Sequence, residues 1–324
     1  MEEKMLKTSK RSLYVSVLIF TMLVIPEWAY TSLIYVGNQD SNSISIIDST
    51  KRSVIDTIPI SGSGPFNLAL SKDWRFLYIA NSRSNDLLIM DLSTKRQVAR
   101  MPTGAFTSDV ALSPDGRYLY AVNNGSNDLA IIDSFTFTPV GFIQVGLKPS
   151  EVIFSRDGRF AYVTNSGSFD ISVIDTISRS IVTSVFVGRD VMGIDITPDG
   201  RELWVAVRGE GLVAIIDTAT NKIVDKILVG TDSYGIAISP DGRSALVSSR
   251  NNNSISRIDM TTRHLISTVL VNKRPDLIAF SFDGREAYVT SREGGTVEVI
   301  DMSINRVAAT ISVGTGPHGI VVRR

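Results

Sequence analysis

The chain has 324 residues, 43% hydrophobic and 20% charged, with 33 Lys and Arg against 33 Asp and Glu. This is a globular composition with no bulk charge to favour nucleic acid or a membrane surface. It contains no Cys and two His, His264 and His318, which excludes disulfides, thiolate metal sites, a Cys nucleophile, Cys-linked haem and a His-rich metal site within one chain.

Residues 1–31 carry Lys4, Lys7, Lys10 and Arg11, then an apolar run from Leu13 to Ile25 broken by Pro26. The pattern predicts a secretory signal, with an uncleaved N-terminal anchor as the alternative because Glu27 would sit at −3 of a cleavage after Ala29. From residue 32 to 324 the chain reads as one repeat domain. It opens with SLIYVGN (32–38), SISIID (43–48) and SVIDTIPI (53–60), continues with six complete sets of four short apolar segments, and closes on GIVV (319–322). The period is fixed by Asp48, Asp91, Asp133, Asp175, Asp217, Asp259 and Asp301, spaced 43 residues once and 42 thereafter.

Residues 109–147 show one full unit: DVALS, the turn PDG, RYLYAVN, the polar loop NGSND, LAIID, and TPVGFIQV. Runs of this length, β-branched and aromatic and separated by Gly, Asn and Asp turns, are strands. Pro and Gly in SPDG suit a type I turn. Four such strands, labelled a to d, make a propeller blade. The chain starts with strands b, c and d and ends with an a, so the fragments complement each other. An all-β, seven-bladed propeller follows, closed by pairing the N-terminal b-c-d strands with the C-terminal a strand, which leaves no open sheet edge.

The segments YVGN (35–38), YIAN (78–81), YAVN (120–123), YVTN (162–165) and YVTS (288–291), with the drifted WVAV (204–207) and LVSS (246–249), resemble the YVTN-family β-propeller repeat. The (S)PDGR turns, the (V/I)ID strand ends and a downstream VG, as in DKILVG (225–230), match it too. The resemblance covers about 290 residues. It implies seven blades in an exported surface or periplasmic protein, and no single activity, because the repeat residues build scaffold.

The repeated residues therefore read as structure. The seven Asp closing strand c accept turn amides; Tyr35, Tyr78, Tyr120, Tyr162 and Tyr288 pack between blades. Carboxylates spread around a rim lie too far apart to share an ion, so no metal is expected. Function is sought where equivalent positions differ, on the face carrying the d–a and b–c loops, here the top. Asp109, Glu151, Asp195, Asp276 and His318 supply acid–base candidates around the channel mouth. Arg208, Arg250 and Arg292 follow strand b in three adjacent blades; with Lys273, Arg274 and Tyr234 they form a candidate ligand patch, because Arg forks suit carboxylate or phosphate. The alternative for these cations is pairing with Asp190, Asp232 and Glu293.

The reading these features favour is an exported, non-catalytic binding or scaffold propeller of the envelope or cell surface, with no cofactor. Its partner would be an envelope polymer, a protein or a small anion, with no specific nucleic acid and membrane contact only through residues 1–31. Two alternatives stand beside it. One is a propeller lactonase-like hydrolase working at the channel mouth. The other is an accessory propeller of a redox complex in which a partner holds the haem or quinone.

Overall fold

Short β-branched runs that cannot bury both faces alone must stack against copies of themselves. The computed structural model describes residues 32–324, and the signal or anchor expected over 1–31 lies outside the described residues. Within them, 28 strands form seven antiparallel sheets of four. Six sheets follow chain order, as in Pro65–Leu70, Phe76–Asn81, Asp86–Asp91 and Arg96–Pro102. The remaining sheet joins Pro317–Arg323 to Leu33–Asn38, Ser43–Asp48 and Ser53–Pro59, with Leu33 opposite Arg323 and Tyr35 opposite Val321. This split sheet is blade 1; the others are blades 2 to 7 in chain order. The ring closes as the sequence fragments predict.

Strand b is buried on both faces in every blade, whereas the outer strand d alternates exposed and half-buried residues. The aromatic of strand b reaches into the next blade. Tyr35 packs with Leu68 and Ile79 of blade 2, Trp204 with Ala245 and Val247 of blade 6, and Tyr288 with Ile34 and Val36 of blade 1. Burial of one such ring contributes roughly 1.5–3 kcal/mol. The ring is thus held by seven similar interfaces.

Two local devices set the loops. The Asp ending strand c accepts turn amides as expected: Asp133 from Phe135 and Thr136, both 3.0 Å, and Asp175 from Ile177 and Ser178, both 2.9 Å. The Asn ending strand b donates to the first residue of strand c, Asn123 to Asp128 at 2.7 Å and Asn81 to Asp86 at 2.8 Å. A Cβ on Gly104 would lie 2.5 Å from Cγ of Asn123, and one on Gly314 would lie 2.6 Å from Cγ of Asn38. At these positions the glycine that follows strand d and the asparagine that ends strand b of the next blade share one space.

Deleting 316–324 removes the inner strand of blade 1 and exposes Leu33–Asn38 as an unpaired edge. Thermal melting should show a drop on the order of 10 °C or more, or loss of the soluble monomer; an unchanged Tm would exclude closure by this strand. Trp204→Ala, which empties a fully buried interface position, should cost about 3–5 kcal/mol in denaturant unfolding.

Candidate functional site

Each inner strand a carries a register shift near its start, at Ser108 alone in blade 3 and over two residues in the other blades. The register shifts between Pro65 and Leu68, Pro149 and Val152, Val191 and Ile194, Ser233 and Ile236, and Pro275 and Ile278. A bulge leaves ladder amides and carbonyls unpaired and re-aims side chains, here toward the channel. Hydroxyls of strand b take up the freed groups. Thr164 accepts the Glu151 amide at 3.1 Å, Ser248 accepts the Gly235 amide at 2.8 Å, and Thr290 donates to the His318 carbonyl at 2.8 Å.

The second bulge position divides the ring. In blades 5, 6 and 1 it is Gly193, Gly235 and Gly319, where a Cβ would lie under 3.0 Å from the carbonyl oxygen of Tyr234, Asp276 and Phe66 of the next blade. In blades 2, 3 and 4 it is Asn67, Asp109 and Glu151. These side chains bridge what backbone contact closes elsewhere. Asn67 donates to Asp109 at 2.6 Å, Asp109 accepts the Val152 amide at 2.8 Å and Glu151 accepts the Ile194 amide at 3.2 Å. Asp195, two residues further along its strand, does the same for the Ile238 amide at 2.8 Å. Three of the five acid–base candidates are thus staples between neighbouring inner strands.

The other two meet between the adjacent inner strands of blades 7 and 1. His318 is 1% exposed; its Nδ1 lies 3.1 Å from the Phe66 carbonyl oxygen, and its Nε2 lies 3.1 Å from the Tyr234 hydroxyl, 84 positions away. A carbonyl can only accept, so Nδ1 carries the hydrogen and Nε2 accepts from Tyr234. Burial first, then the positive charges of Arg250 and Arg292, hold His318 well below its ordinary range, so the ring is neutral. Asp276 is fully buried, pairs through Oδ1 with Arg250 at 2.7 Å, and leaves Oδ2 without a hydrogen bond, 3.6 Å from His318 Nε2. The Arg250 guanidinium lies over the Tyr234 ring, 3.1 Å from its centroid.

The ligand-patch residues are held by different partners. Arg208 is bound to Asp190 at 2.6 Å and faces Asp232 at 3.7 Å; Arg250 is buried; Arg274 pairs with Glu293 at 3.2 Å; Arg292 bonds to Gln39; Lys273 is exposed. The pairing weighed at the sequence level for Asp190, Asp232 and Glu293 is the arrangement present. Arg208 and Tyr234 do line a cavity of about 140 Å³ at the mouth, with Glu151, His318, Phe66 and Phe106 among its walls. Sequence reasoning missed Phe106. It is 41% exposed at φ 53°, the position where blades 1 and 2 use Gly316 and Gly64. The readable signal is residue type: the equivalent positions hold Gly64, Lys148, Asp190, Asp232, Arg274 and Gly316, and Phe106 is the aromatic among them. Among the described residues no group of acidic and His side chains could hold a metal.

Burial raises the carboxyls of Asp109, Glu151 and Asp195 above their ordinary range; for Glu151 the charge of Asp109 adds to burial. A raised acid contributes stability that is full below its unfolded value and is lost as pH rises through its folded value. Glu151→Gln keeps an acceptor for the Ile194 amide and removes the ionisation. Its melting temperature should fall less than that of the wild type between about pH 5 and 9, with an advantage of about 3 °C at the alkaline end. Parallel Tm–pH curves would show that burial does not oppose ionisation here.

The chain matches the model of the YNCE-like beta-propeller over residues 237–323 and that of the Cytochrome D1 heme domain over residues 28–151. No curated protein matches it. Similar solved structures include Kuenenia stuttgartiensis hydrazine synthase, with 21% identity and TM-score 0.76 over 83% of this chain and 92% of that one. Dihydro-heme d1 dehydrogenase NirN in complex with DHE gives 18% and 0.67 over 89% and 74%. A functionally unknown protein from Desulfotomaculum acetoxidans gives 14% and 0.79 over 90% and 99%. At these identities the structures share the fold. The family models support a YNCE-like propeller without naming the YVTN type. The expectation of a non-catalytic envelope scaffold is overturned by the Cytochrome D1 heme domain match over residues 28–151, which favours the redox alternative.

Proposed function

We propose that this chain is a YVTN-type accessory propeller of an exported redox complex, with the redox cofactor held by a partner protein. The observation that carries the proposal is the Cytochrome D1 heme domain match in a chain whose own channel mouth does not fit a haem. The cavity there is about 140 Å³, against roughly 300–1,000 Å³ for pockets that take drug-sized ligands. Both nitrogens of His318 are engaged, and His264 lies exposed on the outer strand of blade 6, with Nδ1 2.6 Å from the Thr262 carbonyl oxygen. Arg208 and Arg274, the cations nearest to a propionate-binding role, already hold carboxylates.

The hydrazine synthase match spans 92% of that chain, which supports a propeller with little else serving as one chain of a redox protein. The basic lead and apolar run of residues 1–31 support export. In this role the propeller supplies a rigid docking platform, and its own residues carry no electron-transfer step.

Titrating haem into the purified full chain should give no stoichiometric Soret complex. Affinity capture of the same chain from its native cells should recover a protein with a haem or quinone absorption spectrum. A tight one-to-one haem complex with the isolated chain would overturn the accessory role, and capture lacking any chromophore-bearing protein would overturn the redox assignment.

A further inference from the structure

We propose that the cavity at the channel mouth binds a small organic ammonium ion, held by the Glu151 carboxyl against the aromatic wall of Phe66 and Phe106. The inference is independent of the redox reading. It starts from size: the cavity is about 140 Å³, close to the roughly 150 Å³ of an engineered cavity that takes up benzene. A ligand of about five to seven heavy atoms matches that space.

The walls choose the charge. Phe66 stands edge-on to Phe106, with ring centroids 5.8 Å apart, and Met192 adds a polarizable thioether beside them. Phe106 lines the cavity and remains 41% exposed. Glu151, on the same cavity wall, spends Oε2 on the Ile194 amide. The charged groups facing Glu151 are Asp109, Asp195 and Arg250, and Arg208 lines the same cavity. Arg250 is neutralised by Asp276, and Arg208 by Asp190 and Asp232. His318 is neutral. The mouth thus holds two cations that are paired with other carboxylates, and Asp109 stands beside Glu151 as a like charge. An anion would have to displace Asp190 from Arg208 and sit beside Glu151. A cation offsets the like charge of Asp109 beside Glu151 and gains contact with the aromatic rings that line the cavity.

The test is calorimetric titration of the full chain with tetramethylammonium, using tert-butanol as the neutral shape match and acetate as the anion. Tetramethylammonium should bind in the millimolar range and at least tenfold more tightly than either control. Glu151→Gln should weaken it at least tenfold, and Phe106→Leu, at an exposed site that does not threaten the fold, about threefold. Equal binding of tert-butanol or acetate, no binding of tetramethylammonium, or unchanged affinity in a Glu151→Gln protein of normal Tm would overturn the proposal. Should Glu151→Gln not fold, an unchanged affinity in Phe106→Leu would overturn the aromatic wall by itself, and a loss would support it.

Discussion

Seven inner strands must converge on one axis, and the space between neighbouring strands is less than a side chain at several points. Gly193, Gly235 and Gly319 meet this constraint by having no Cβ, so that the backbones of blades 5 and 6, 6 and 7, and 1 and 2 come into direct contact. Where the same position holds Asn67, Asp109 or Glu151, the side chain itself becomes the spacer and bonds to the next blade. The cavity lies on that side. An asymmetric mouth in a near-symmetric ring therefore traces to residue size at one position of the repeat. The rest of the architecture, from strand-b aromatics to turn aspartates, keeps the convergence rigid enough for that difference to persist.

Much of the fold was legible because it rests on local chemistry repeated in phase. Strand length, turn type and the Asp at the end of strand c need only a few neighbouring residues, and the complementary ends need only counting. The candidate positions were found by the same beat. What they do was hidden, because their partners lie one blade away and slightly out of phase: Asp109 bonds Val152, Glu151 bonds Ile194, and Asp195 bonds Ile238, each 43 positions on. The offset comes from the bulge, which period counting cannot see. The Tyr234–His318 contact spans the channel between non-adjacent blades and has no sequence signature at all.

The basic sector illustrates why spacing alone misleads about charge. Arg208, Arg250 and Arg292 recur in register, which suggests a shared surface, yet each is bound to something different: a loop carboxylate, a buried Asp and a glutamine of blade 1. Forty-two-residue spacing delivers equivalent backbone sites, whereas the fate of a guanidinium depends on the nearest acceptor. The carboxyls on the channel wall show the opposite situation. Asp109 is buried and Glu151 half-buried, and both are bonded to neutral donors, so each is held above its ordinary range while the whole chain is balanced in charge.

The split blade has a consequence for how the ring is made. Leu33–Asn38 pairs with Pro317–Arg323 across nearly the whole length of the described chain. During synthesis the first three strands must wait, with one edge open, until the last strand leaves the ribosome. Most contacts in the other six blades are local and form early; this one carries the largest loop-closure entropy in the molecule. The final annealing is thus the slow, aggregation-exposed step of assembly, and the finished protein is guarded by the contact that arrives last.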